Sequence, residues 1–106
     1  MPDAADDELA ETYGRRGAAV VVYGHIHRPY VHSLPGLVVA NSGSAGMAFD
    51  RDPRASYLLV EDGTPTVRRV EYDLEREVAA LTAVGYPDAE RLAEMRRSGR
   101  FIRPAP

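Results

Sequence analysis

The chain contains no cysteine and no lysine. Without cysteine no disulfide staples the fold and no thiolate can hold a metal, which fits a cytoplasmic protein. The opening Met-Pro-Asp-Ala-Ala-Asp-Asp-Glu is acidic and lacks an apolar core segment, so no signal peptide is expected. No apolar run approaches the roughly 18 residues of a membrane span. All 13 basic residues are arginine, a bias that reflects genomic base composition before it reflects function. They face 16 acidic residues, for a net charge of −3. Arg91, Arg96, Arg97, Arg100 and Arg103 crowd the C-terminus, but only one aromatic residue, Phe101, stands among them, too few for a stacking platform. They read as a solvated helix face and tail, and a nucleic-acid partner is not expected. There are no internal repeats. At 106 residues, 44% of them apolar, this is one globular domain or less.

What is present centres on Val20-Val21-Val22-Tyr23-Gly24-His25-Ile26-His27-Arg28-Pro29. Ala18 to Tyr23 is uncharged and β-branched, which suits a strand buried on both faces. Gly24 would let the chain turn sharply at the strand's end. If the backbone beyond it stays extended, His25 and His27 point the same way, with Cα atoms roughly 6.5–7 Å apart. That is wide for two ligands of one ion. It suits two neighbouring ions, since paired catalytic metals sit about 3.5–4 Å apart. Arg28 adds a forked positive charge that matches phosphate, and Pro29 disfavours helix at Arg28. An isolated His-x-His is more often a pair of loop histidines without a ligand, so its context decides.

Gly24-His25-Ile26-His27, directly after a Val-Val-Val-Tyr strand, resembles Gly-His-x-His, the last metal-binding motif of the calcineurin-like metallophosphoesterases. Asn41-Ser42-Gly43-Ser44 resembles the Asn-Pro-Gly-Ser loop that follows it in that family, and Arg54-Ala55-Ser56-Tyr57 resembles the next landmark. Two positions depart from the pattern: Ser42 stands where proline is common, and Ile26 where threonine is frequent. The resemblance covers roughly residues 5 to 100. It implies the C-terminal half of a four-layer αββα sandwich, a mixed α/β fold with a mainly antiparallel sheet and flanking helices. It implies two divalent ions per complete site, Mn, Fe, Zn or Ni, and a phosphate mono- or diester substrate. His25 and His27 would be catalytic metal ligands, His25 on the second ion and His27 on the first. The family's other motifs, Asp-x-His, Gly-Asp-x-x-Asp, Gly-Asn-His-Asp/Glu and a lone histidine, have no match here. The expectation is a partial domain over 1–99 with a tail at 100–106, inactive or weak alone. It would be a fragment, a shortened reading frame, or a half that works with an N-terminal complementing polypeptide. The alternative is a non-enzymatic, degenerate phosphoesterase domain that serves as an interaction module. An uncovered apolar strand and sheet face further predict a homo-oligomer.

The remaining chain reads in order. A helix over 6–16 is capped by Asp6 and stopped by Gly17. Strands at 30–34 and 37–41 flank Pro35-Gly36 as a hairpin, with His32 a surface histidine. The loop 41–53 is rich in small residues. It is a candidate for contacting phosphate or for buttressing the histidine loop, which makes Asn41 and Ser44, beside Arg28, the residues to watch. Tyr23 and residues 41–44 are the nearest candidates to accept hydrogen bonds from the ligand imidazoles. Asp50 and Asp52 are expected to be exposed. Strands at 55–61 and 66–72 flank the turn 62–65. Asp73 caps a helix reaching Val84, and Asp88 caps another reaching Ser98.

Overall fold

The computed structural model describes residues 5–106. Met1 to Ala4, which carry part of the acidic opening, lie outside the described residues. Helix α1 (Asp6–Tyr13) continues as a single 3₁₀ turn (Gly14–Arg16) and stops at Gly17, which takes φ 69°. Strands β1 (Val20–Tyr23), β2 (Tyr30–Leu34) and β3 (Leu37–Asn41) follow, then β4 (Ala55–Glu61) and β5 (Thr64–Val70). Helices α2 (Leu74–Ala83) and α3 (Ala89–Ser98) close the chain. Among the described residues no helix is long and apolar enough to cross a membrane.

One sheet has the order β1-β3-β2, the other pairs β4 with β5. β2 and β3 form the expected hairpin, Leu34 facing Leu37 across Pro35-Gly36. β3 also runs parallel to β1, which places Tyr23 beside Asn41. This pairing decides the site, because the loops leaving β1 and β3 emerge side by side. Leu9 and Tyr13 of α1 cover Val21, Tyr23, Leu34, Leu37 and Val39 on one sheet face. The opposite face carries Val22, Ala40 and Val31 in one row across the strands.

Several expectations need correction. β1 is not buried on both faces: Val22 is 48% exposed, and the strand sits at a sheet edge. Asp6 is the first helical residue and makes no cap, because its carboxylate instead accepts a hydrogen bond from His32 Nε2 at 2.6 Å. His32 lies near the surface in that hydrogen bond. β5 begins two residues earlier than expected, because Asp62 (φ 49°) and Gly63 (φ 74°) alone make a two-residue turn with both residues left-handed. Pro65 pairs with Val60, one step beyond the pair flanking the turn, where its missing N–H costs no ladder bond. Asp73 caps α2 as expected, accepting from Arg76 N at 3.1 Å. Asp88 caps no amide; its carboxylate binds the Arg91 guanidinium. The C-terminal arginines are engaged similarly, Arg96 with Glu77 and Arg97 with Glu75 across α2 and α3.

Candidate metal centre

His25 and His27 lie at the C-terminal end of β1, but the backbone carrying them is not extended. His25 has φ 76° and His27 φ 59°. Ile26 N donates to Gly24 O at 3.0 Å across His25, which makes His25 the centre of a γ-turn of the strained, positive-φ kind. The alternation argument for the two histidines therefore does not describe this loop. The turn is made by the histidines themselves and not by Gly24, whose φ is not left-handed. Gly24 contributes its carbonyl, which also accepts from Asn41 Nδ2 at 3.0 Å.

His27 is the better anchored of the two. Its Nδ1 lies 2.8 Å from Met47 O. A carbonyl only accepts, so Nδ1 carries a proton, and in the neutral imidazole Nε2 keeps its lone pair. Met47 and Phe49 hold the residue at three points: the Met47 carbonyl on Nδ1, the Phe49 N–H on the His27 carbonyl at 2.9 Å, and the Phe49 ring stacked on the imidazole with centroids 4.8 Å apart. A ring nitrogen tied to a backbone carbonyl, with the other left open, is the usual arrangement of a metal-ligating histidine. His25 and Arg28 are exposed.

The loop after β3 is built to place Met47. Asn41 is fully buried, and its amide is engaged at both ends, toward Gly24 O and from Gly43 N at 2.8 Å. Ser44 Oγ accepts from Met47 N at 3.0 Å. Ser56, on β4, clamps the loop: its hydroxyl donates to Ser42 O at 2.8 Å and accepts from Ser44 N at 3.1 Å. Gly43, at φ 72°, has no room for a side chain, since a β-carbon would collide with Ser56 Oγ and lie 2.9 Å from Pro29 Cδ. Asp50 and Asp52, expected to be exposed, are half-buried because both are drawn into ion pairs. Asp50 pairs with Arg69 of β5, and Asp52 with Arg54 at 2.7 Å. Hydrogen bonds from Arg54, with the Arg69 charge nearby, lower the Asp52 pKa to about 2, so it stays ionised. The carboxylates serve as an ionic latch between this loop and the second sheet.

Of the residues singled out in the sequence, the structure brings His27, Asn41 and Ser44 into one hydrogen-bonded unit. Met47, Phe49 and Ser56 belong to the same unit and were not anticipated. Met47 acts through its backbone, which leaves no trace in residue type. Ser56 lay within a segment singled out only by resemblance. Among the described residues no three His, Asp or Glu side chains are grouped to hold a metal.

A sequence model of the calcineurin-like phosphoesterase superfamily domain matches residues 3–64, more than half of the chain. The chain belongs to the calcineurin-like phosphoesterase superfamily. Solved structures agree on the fold. A metallophosphoesterase from Sphaerobacter thermophilus matches with TM-score 0.75 and 24% identity, over 86% of this chain and 47% of its own. A hypothetical protein from Pyrococcus horikoshii OT3 matches with TM-score 0.78 and 17% identity, over 93% of this chain and 40% of its own. The chain thus spans less than half the length of these structures, and its mixed α/β architecture is consistent with half of their domain. No curated protein gives a significant match.

Proposed function

We propose that this chain supplies His25 and His27 to a two-metal centre that hydrolyses phosphate mono- or diesters, the remaining ligands coming from a second polypeptide segment. The observation that carries this reading is the Nδ1 contact of His27 with Met47 O, which leaves Nε2 open as a donor at a strand's C-terminal end. Imidazole suits several first-row divalent ions, so Mn, Fe, Zn and Ni all fit the donor type. Two imidazoles do not complete a centre, since a catalytic metal takes about three protein ligands. The length of the solved relatives supports a complementing segment.

When bound, the metals polarise the phosphoryl group and lower the pKa of the attacking water. This chain's own residues bind and orient. His27 presents Nε2 on a ring fixed by Met47 and Phe49. His25 offers the second imidazole from its γ-turn. Arg28, exposed beside both, offers a guanidinium to phosphate oxygens. Asn41 and Ser44 act through the loop they hold.

A second reading, a non-enzymatic interaction module, is favoured by the exposed Val22 and Val31 on one sheet face. Metal separates the two. The purified chain is dialysed against Mn²⁺ and then Zn²⁺, and bound metal is counted beside the His25→Ala/His27→Ala double variant. Histidine-dependent metal, raised toward stoichiometry when the complementing half of a relative is supplied, is the expected result. Histidine-independent metal, or none even with that half present, would overturn the metal-centre reading in favour of the module.

A further inference from the structure

The region beyond the family match approaches His27 through its own contacts. α3 ends at Gly99, with φ 62°, and the Gly99 carbonyl accepts from Arg51 N at 2.9 Å. A β-carbon on Gly99 would lie 2.8 Å from Arg51 Cα, so the helix end sits directly against the loop that carries Met47 and Phe49. The segment read as a tail is tied back as well, Arg91 Nη1 donating to Ile102 O at 2.8 Å. Between these two anchors stands Phe101. Its ring meets Phe49 edge-on, with centroids 5.6 Å apart and planes at 74°. The Phe49 ring in turn lies nearly parallel to the His27 imidazole, at 14°.

We infer that Phe101 is a positioning residue for His27, acting through Phe49, so that the C-terminal segment belongs to the metal-binding apparatus. The inference rests on the reading of His27 as a metal ligand. An edge-to-face contact favours one ring orientation over others, because the positive edge of one ring seeks the negative face of the next. With Phe101 in place, Phe49 cannot swing away from the imidazole without losing that contact. The imidazole plane is then held where Nδ1 meets Met47 O. Phe101 is itself 59% exposed, so its removal deletes little buried surface. A structural role alone would leave His27 as it is.

The test uses the whole chain, ¹⁵N-labelled, at a pH where imidazole is neutral. Long-range ¹H–¹⁵N spectra report which nitrogen of His27 carries the proton. In the parent, the two nitrogen shifts should be widely separated, with Nδ1 protonated. In Phe101→Ala the two shifts should move toward each other, as Nδ1 loses its fixed partner, while circular dichroism stays unchanged. Phe101→Tyr should restore the separation. Phe101→Leu, which keeps the apolar bulk of the tail, should resemble Phe101→Ala and decides the matter should the alanine variant fold poorly. Parent-like His27 shifts in the alanine and leucine variants would overturn the inference. Zn²⁺ titration of the same samples reads the metal assignment separately. In the parent it should perturb the His27 signals, at a midpoint several-fold lower than in Phe101→Ala. His27 signals that Zn²⁺ leaves unmoved would count against the ligand reading, while the tautomer comparison still judges Phe101.

Discussion

The two histidines hold backbone conformations that β-carbon-bearing residues avoid. His25 sits at φ 76° inside a γ-turn, and residues held in such regions cost about 1–3 kcal/mol each. Nothing in the packing of an exposed side chain offsets that cost, which points to a role for the imidazole itself. His25→Gly should therefore stabilise the chain. Strain of about 1–3 kcal/mol is relieved, and the larger unfolded-state entropy of glycine returns roughly 0.5–1 kcal/mol. The expected net gain is about 1 kcal/mol in urea denaturation. His25→Ala keeps the β-carbon and should be near neutral, so comparing the two isolates the backbone contribution. Both variants should lose metal. A glycine variant no more stable than the alanine one would mean that the turn is not strained in solution.

Between elements, the decisive contact is a serine on β4 gripping the loop that leaves β3. Ser56 is only 5% exposed, and its hydroxyl serves Ser42 O and Ser44 N together. Removing one partner of a buried hydrogen bond leaves the other unsatisfied, at about 1–3 kcal/mol. Ser56→Ala should lower the urea midpoint by that much. It should also loosen the turn that presents Met47 O to His27, which amide hydrogen exchange at residues 44–49 would report. Unchanged exchange there would mean that Asn41 and the Asp50–Arg69 latch hold the loop without Ser56. The boundaries of β2, β3 and β4 were legible in the sequence, because Pro35-Gly36 and Asp62-Gly63 punctuate apolar runs. The clamp was not, since a serine opening a strand has the same appearance whether it faces water or a carbonyl.

As a whole molecule, the chain is a slab. Its extents are 48 × 34 × 19 Å, with a radius of gyration of 16.3 Å. A compact domain of this length would have a radius near about 13 Å. The thin dimension leaves a sheet face partly uncovered, with Val22 at 48% and Val31 at 39% exposure flanking buried Ala40, and β1 pairs on one side only among the described residues. Apolar faces and strand edges of this kind associate. Light scattering at micromolar concentration should therefore give a dimer or larger mass, and Val22→Lys/Val31→Lys should shift it toward monomer. A monomeric mass for the parent would show that this face tolerates water unaided.

The linear order of residues already holds the pieces: a Gly-His-x-His loop after an apolar strand, two hairpins set by turn chemistry, and helices that, with the 3₁₀ turn counted in the first, end within one residue of the expected stops. Those features are local, encoded in side-chain period and in the backbone freedom of glycine and proline. How they meet is set by long-range packing. The parallel pairing of β1 with β3 sets the histidine loop against the loop at 41–53, and no local pattern encodes which strand a hairpin will insert beside. The proton on His27 Nδ1 is assigned by the carbonyl of Met47, twenty residues away. Any residue type could have supplied that carbonyl, so the contact exists only once the chain has folded.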